Sequence, residues 1–319
     1  MTRPMAPASA PELWRWLCAL ARFRPGHGDE HSEVLSVRAA GEALQVSSGE
    51  HPEAVLRVSS ASGLQVQRAL DADAAELFDR YAPLCAPRSV SSRSVSPRAV
   101  SPSNRDGVPS NGAPGNERFV VAHLGQSLDG RIGPPNGKPE AITGPEDVRH
   151  NHRMRALFDV VLVGAGTVCH DDPQLTVRLV EGQHPVRVVL DPDRRLTDKY
   201  ALFHDDLAPT LLLCRPEQTR PGERHGRAEV VAVGGGCGPA AVLDELDRRG
   251  LRRIFIEGGG VTVSRFLAAD CLDRLQLAVS PLIMGQGRPG IDLGETLRLR
   301  PTVRRYQLAD DILFECCFR

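Results

Sequence analysis

Between residues 117 and 319, short and nearly uninterrupted apolar runs alternate with segments of helical period. FVVAHLG, DVVLVGA, VRVVLD, TLLLC, EVVAV and RIFIEGG read as strands that are apolar on both faces. A sheet built from such strands needs cover on both sides. EDVRHNHRMRALF, PAAVLDELDRRG and VTVSRFLAAD read as the helices that supply it. From Asp273 onward, LQLAVSPLI and ILFECCF follow with no long helix between them. That spacing predicts at least one antiparallel hairpin at a sheet edge. The expected fold is α/β, a mixed sheet flanked by helices.

The preceding residues read differently. A helix is expected from Pro11 to Arg24, with Trp14, Leu17, Leu20 and Ala21 on one face. The short runs VLSV, ALQV, AVLRV and LQV follow. A second helix is expected from Asp71 to Tyr81, with Asp71 as its cap. Residues 1–85 thus predict a small α+β domain of unassigned role. Residues 86–116 include RSVSSRSVSPRAVSP and hold few bulky apolar side chains. Such a segment cannot offset its ordering entropy, so a disordered Ser/Pro/Arg linker is expected. Contact with RNA, or phosphorylation, is the alternative use of its Ser-Arg tract.

The chain has 319 residues, a formal net charge of -1 and 25% charged residues. No global basic field points to nucleic acid. No apolar run approaches the roughly 18 residues that span a membrane. The N-terminus lacks a signal-peptide pattern, so a cytoplasmic protein is expected. His31-Ser-Glu33 has the His-x-Glu form of zinc deaminases, but no Pro-Cys-x-x-Cys follows to hold the metal. The eight cysteines form no Cys-x-x-Cys, and the adjacent Cys316 and Cys317 would point to opposite faces of a strand. Reduced, mostly buried thiols and no metal site are expected.

Three glycine clusters stand at strand ends. GAGTVCHDDPQLTVR (164–178) follows the strand DVVLV. It is not a dinucleotide fingerprint, because Cys169 stands where the third glycine belongs, and GAGT by itself is equally read as a tight turn. Glu257-Gly258-Gly259-Gly260 lies between RIFI and the helix VTVSRFL, an order suited to cradling phosphate on a helix N-terminus. VAVGGGCGPAA (231–241) is similar, with Pro239 suited to a first helical position, and is equally read as a loose loop.

Four stretches carry a resemblance: HLGQSLDGRI (123–132), the long block ITGPEDVRHNHRMRALFDVVLVGAGTVCHDDPQLTVR (142–178), PVRVVLD (185–191) and EGGGVTVSRFL (257–267). In order and spacing they resemble the reductase half of the bifunctional deaminase/reductase of riboflavin biosynthesis. The resemblance covers nearly all of residues 117–319 and none of 1–116. It implies a dihydrofolate-reductase-like fold, NADPH as hydride donor, a phosphorylated ribosylaminopyrimidine as substrate, and a homodimer. The implied reaction reduces the ribosyl sugar to a ribityl chain.

Position by position, the resemblance implies that Thr167 and Asp171 contact the cofactor. Gly125, Ala141, Gly164 and Gly166 join them, and Gly259, Gly260, Val261, Thr262, Val263, Ser264 and Arg265 wrap its diphosphate. Leu175, Arg178 and Arg155 would hold the substrate, Arg178 at its phosphate, a task that suits a guanidinium fork. Glu257 would face the substrate. Asp171 and Glu257 are the candidate catalytic acids. Asp172 is read as a turn or capping residue, and Asp129 as the structural residue of a turn closed by Gly130. This chain departs from many relatives at His123, Pro139 and Ala141, where they carry lysine, serine and tryptophan; Lys138 could stand in for the serine. These departures are expected at the substrate-side entrance. They leave open a pterin or branch-pathway pyrimidine as substrate. A cofactor-binding regulatory protein without turnover is a third reading.

Overall fold

The computed structural model describes residues 7–23, 34–40, 43–48, 54–59, 63–67, 69–85, 118–135, 141–294 and 298–318. The expected linker at 86–116, the His31–Glu33 motif, Lys138 and Pro139 lie outside the described residues. The chain divides into two compact units, Met1–Glu117 and Arg118–Arg319. No described helix is long and apolar enough to cross a membrane.

In the first unit, α1 (Ala10–Arg22) begins where the Glu12 carboxylate accepts the Ser9 amide at 2.9 Å. Its buried face adds Leu13 and Trp16 to the four residues expected there. Four antiparallel strands follow: β1 (Val34–Ala40), β2 (Ala43–Ser48), β3 (Leu56–Ser59) and β4 (Gly63–Val66), in the order β2-β1-β3-β4. α2 (Ala72–Cys85) is capped by Asp71, whose carboxylate accepts the Ala74 amide at 2.8 Å. Trp14 meets Tyr81 edge to face at 5.6 Å, joining the two helices.

The second unit contains β5 (Phe119–Gln126), α3 (Pro145–Leu157), β6 (Val160–Gly164), α4 (Ala165–Asp171), β7 (Val186–Leu190), β8 (Thr210–Cys214), β9 (Arg224–His225), β10 (Ala228–Ala232), α5 (Pro239–Arg248), β11 (Arg253–Glu257), α6 (Gly260–Ala268), β12 (Arg274–Val279), β13 (Thr302–Leu308) and β14 (Asp311–Cys317). The strands form one sheet in the order β13-β14-β12-β5-β11-β6-β7-β8-β10-β9. From β12 to β10 every pairing is parallel. β12 and β14, the two strands expected after Asp273, pair antiparallel, but the edge hairpin is β13–β14, and TVRRYQL of β13 is not among the expected strands; β9 adds a short antiparallel edge at the far side. Every residue of β6 and of β8 is buried. Pro239 opens α5 as expected. Of the cysteines, only Cys85, Cys214 and Cys237 are fully buried; none forms a disulfide and Cys169 is exposed. Thiol burial is therefore less general than expected.

Two features place the site. β11 returns to lie between β5 and β6, so late and early chain segments become neighbours. β6 and β11 are parallel and in register, Ile256 opposite Leu162, so their carboxyl ends open side by side. Each leads directly into a helix, α4 or α6. Ligands of α/β sheets gather at such a point.

Candidate active site

Between α4 and α6 lies a cleft of about 650 Å³. Gly164, Gly166, Thr167, Gly259, Gly260, Val261, Thr262, Ser264 and Arg265 line it, together with Arg195, Arg288 and Asp292. The sequence GAGT is neither fingerprint nor plain turn, since Gly164 caps the short helix α4. Gly259 caps α6 with φ of 72°, a conformation that favours glycine. A Cβ there would stand 2.9 Å from the Thr167 hydroxyl, and one at Gly164 only 2.4 Å from that of Thr262. The two helix starts therefore approach as closely as they do because both caps lack side chains. The leading amides of α6 have no partner within the helix, which makes the cleft a cradle for an anion.

Gly125, Ala141, Asp171 and Val263 are not part of that lining. Val263 is fully buried in the core, so its side chain faces away from the cleft. A Cβ at Gly125 would meet the Thr143 methyl at 2.9 Å, so packing beside α3 explains this glycine.

The second part of the site is built on α3. Its buried residues include the polar Asp147, His150, His152 and Arg155, and burial obliges each to find a partner. Asp147 accepts the Thr143 hydroxyl at 2.7 Å and pairs with the His123 ring at 3.2 Å. The attraction of His123 and His150 and these hydrogen bonds outweigh desolvation, holding the Asp147 carboxyl down at about 2. His123 is only 2% exposed. It belongs to this buried layer and not to a substrate entrance, because Asp147 supplies its polar partner. His150 meets the Gln276 side chain at 2.9 Å.

Arg155 grips Glu257, at the end of β11, with two bonds of 2.7 and 2.5 Å, and donates a third at 2.8 Å to the Thr176 carbonyl. Its side chain is 8% exposed and that of Glu257 17%. Glu257 thus stands at the carboxyl end of β11 with both oxygens engaged by Arg155.

LTV (175–177) does not form a strand. Leu175 sits at φ 55°, Pro173 lacks an amide donor, and the neighbouring amides go to histidines. Val177 N–H donates to His184 Nδ1 at 3.1 Å and Arg178 N–H to His152 Nδ1 at 2.8 Å. Leu175 is buried, so this residue packs beneath the loop. The Arg178 side chain is exposed and donates to the Thr176 hydroxyl at 2.5 Å; no ion pair to an acid is found for it among the described residues. Partial desolvation and the nearby charge of Arg155 lower its pKa, with Glu257 opposing. Two guanidiniums sharing one carboxylate leave a surplus positive charge that an anion would relieve.

Asp171, at the end of α4, has its carboxyl pKa raised by desolvation, which Arg288 and His170 offset and Glu257 reinforces. It feels both a cleft residue, Arg288, and the Arg155–Glu257 cluster. Asp172 adopts the left-handed C-cap conformation and accepts the Ala201 amide at 2.9 Å, the structural role expected of it. Asp129 accepts the Ser127 hydroxyl at 2.6 Å and the amides of Met284 and Gly285, which hold its carboxyl at about 2.

Arg195, Arg288 and Asp292 of the cleft and His152 of α3 escaped the sequence reading. His152 stands three residues before Arg155, a helical spacing that could have flagged it. Arg288, in the loop GRPG, offers no local signal.

Residues 118–313 match the model of the RibD C-terminal domain family. A 2,5-diamino-6-ribosylamino-4(3H)-pyrimidinone 5′-phosphate reductase from Methanothermobacter thermautotrophicus is 34% identical over 214 residues, covering 62% of this chain and 96% of that protein. Riboflavin biosynthesis protein RibD of Aquifex aeolicus is 30% identical, over 57% of this chain and 53% of that protein, so this chain spans about half of RibD. Among solved structures, the deaminase/5-amino-6-(5-phosphoribosylamino)uracil reductase of Thermotoga maritima superposes with a TM-score of 0.55 at 29% identity, covering 63% of this chain and 57% of that one. The mixed sheet flanked by helices is the arrangement the sequence led one to expect.

Proposed function

Because this chain belongs to the family of the RibD C-terminal domain, we propose that it is a reductase of riboflavin biosynthesis, taking hydride from NADPH to a phosphorylated ribosylaminopyrimidine. The carrying observation is the junction of an anion cradle with an arginine cluster. α4 contributes Thr167 to the cleft and Asp171 to the field of Glu257. The named relatives act on two forms of one substrate class, a diaminopyrimidinone and a uracil; this chain is assigned that class.

NADPH, when bound, supplies the hydride that reduces C1′ of the ring-opened ribosylamine, and one proton balances the reaction. The protein's contribution is placement and charge. The amides at the start of α6 and the Thr167 hydroxyl hold the diphosphate. Arg178 binds the substrate phosphate. Arg155, fixed by Glu257 and Thr176, shapes the wall beside it. Asp171 is assigned as the acid for the sugar oxygen, and desolvation raises its pKa from the ordinary carboxylate value. The protein is taken as a cytoplasmic homodimer.

Steady-state NADPH oxidation with the diaminopyrimidinone phosphate, the uracil phosphate and a dihydropterin tests the reading. Turnover of either phosphorylated pyrimidine and none of the pterin is expected. Pterin turnover alone would replace the substrate class, and NADPH binding with no turnover of any would support a regulatory protein instead.

A further inference from the structure

His152 is a buried titratable group with no part in the chemistry just described. Its ring is 2% exposed. Nδ1 lies 2.8 Å from the Arg178 amide nitrogen and 3.4 Å from that of Leu179. A backbone N–H only donates, so Nδ1 must be an unprotonated acceptor and the proton must sit on Nε2. One helical turn on, Arg155 takes the Thr176 carbonyl at 2.8 Å, and the Thr176 hydroxyl in turn receives Arg178 Nη1. Two side chains at i and i+3 of α3 therefore dock the backbone of residues 176 and 178 in the same loop. That loop needs docking, because it forms no ladder and carries left-handed Leu175.

We propose that His152 is the positioning residue for Arg178: its neutral Nε2–H ring clamps onto α3 the backbone that presents this guanidinium to the substrate phosphate. The assignment rests on the phosphate role given to Arg178 above. The ring stays an acceptor at neutral pH. Desolvation first, then the charges of Arg155 and Arg178, hold its pKa at about 4, with only Glu257 opposing.

The test uses the full chain, the phosphorylated ribosylaminopyrimidines and NADPH. His152→Leu removes the acceptor. His152→Asn restores an oxygen close to where Nδ1 stood, whereas His152→Gln carries its oxygen one bond too far. We expect KM for the phosphorylated substrate to rise about tenfold in the Leu and Gln variants, because the misplaced Arg178 weakens its charged hydrogen bond to the phosphate. It should stay within about threefold of wild type in Asn, the smaller change expected when the acceptor is kept. Turnover number and NADPH affinity should hardly move. In an Arg178→Ala background, His152→Gln should add less than about twofold, since coupled residues are non-additive. The Asn–Gln contrast decides the matter even if the Leu variant does not fold. Equal behaviour of Asn and Gln, or effects that multiply in the double variant, overturns the inference while leaving the phosphate reading intact. An Arg178→Ala protein with unchanged KM overturns the phosphate reading, and the role of His152 with it.

Discussion

Replacing Glu257 with Gln removes one charge from the Arg155–Glu257 pair and little else. The two groups meet through parallel bonds of 2.7 and 2.5 Å, and both are largely withdrawn from water. Unit charges about 4 Å apart at an effective dielectric near 20 attract by about 4 kcal/mol. Gln keeps one acceptor oxygen, worth about 1 kcal/mol. Arg155 is then left beside Arg178, whose own pKa is already depressed by desolvation and by that neighbour. The expected loss of stability is about 2–4 kcal/mol, in line with breaking a buried pair and well above the ~0–1 kcal/mol of a surface pair. With a urea slope of about 2 kcal/mol/M, the midpoint should fall by about 1–2 M. Trp14 and Trp16 are the only tryptophans, and both belong to the other unit. Fluorescence therefore reports the wrong part of the chain. Far-UV circular dichroism and amide exchange of β11 and α3 are the proper probes. Inorganic phosphate should recover part of the loss, about 1.4 kcal/mol at ten times its Kd. A loss below about 1 kcal/mol, with no added response to phosphate, would refute the reasoning and make the pair a solvated bridge.

Gly259→Asp sets a side chain against Thr167 at a cap with φ of 72° and puts negative charge in the cradle; NADPH affinity should fall at least about tenfold, 1.4 kcal/mol, by fluorescence titration. Arg178→Ala should lower kcat/KM about ten- to a hundredfold on the phosphorylated substrate and add little on a dephosphorylated one, with Arg178→Lys recovering only part. Equal impairment on both substrates would exclude a phosphate contact. His152 has its folded pKa at about 4, below the ordinary 6.5, so the unfolded chain binds the extra proton between those values. Its share of stability is present above pH 6.5 and is lost as pH falls toward 4; His152→Asn should flatten that slope in urea titrations across the window.

Much of this protein is decided locally, and the sequence alone determined those parts. Short β-branched apolar runs alternating with helical segments point to covered strands, and each one expected between Phe119 and Cys317 is a strand of the sheet. Asp71 before its helix and Pro239 at the head of another act within one turn of chain, so composition and spacing specify them. The glycine clusters at 164–166 and 258–260 were legible because a strand end followed by a helix start is a local pattern. Only the tertiary structure decided what those patterns meet. Arg155 and Glu257 are 102 residues apart, and they join because β11 inserts between β5 and β6. No periodicity encodes that register. Leu-Thr-Val in the loop 172–178 has strand propensity. It forms no strand, because His152 and His184 take the amides a ladder would have used. His123 looked like a departure at the substrate mouth, yet it is buried, because Asp147 lies across from it. In each case the deciding term is the cost of burying a polar group without a partner, and the partner comes from a segment distant in sequence.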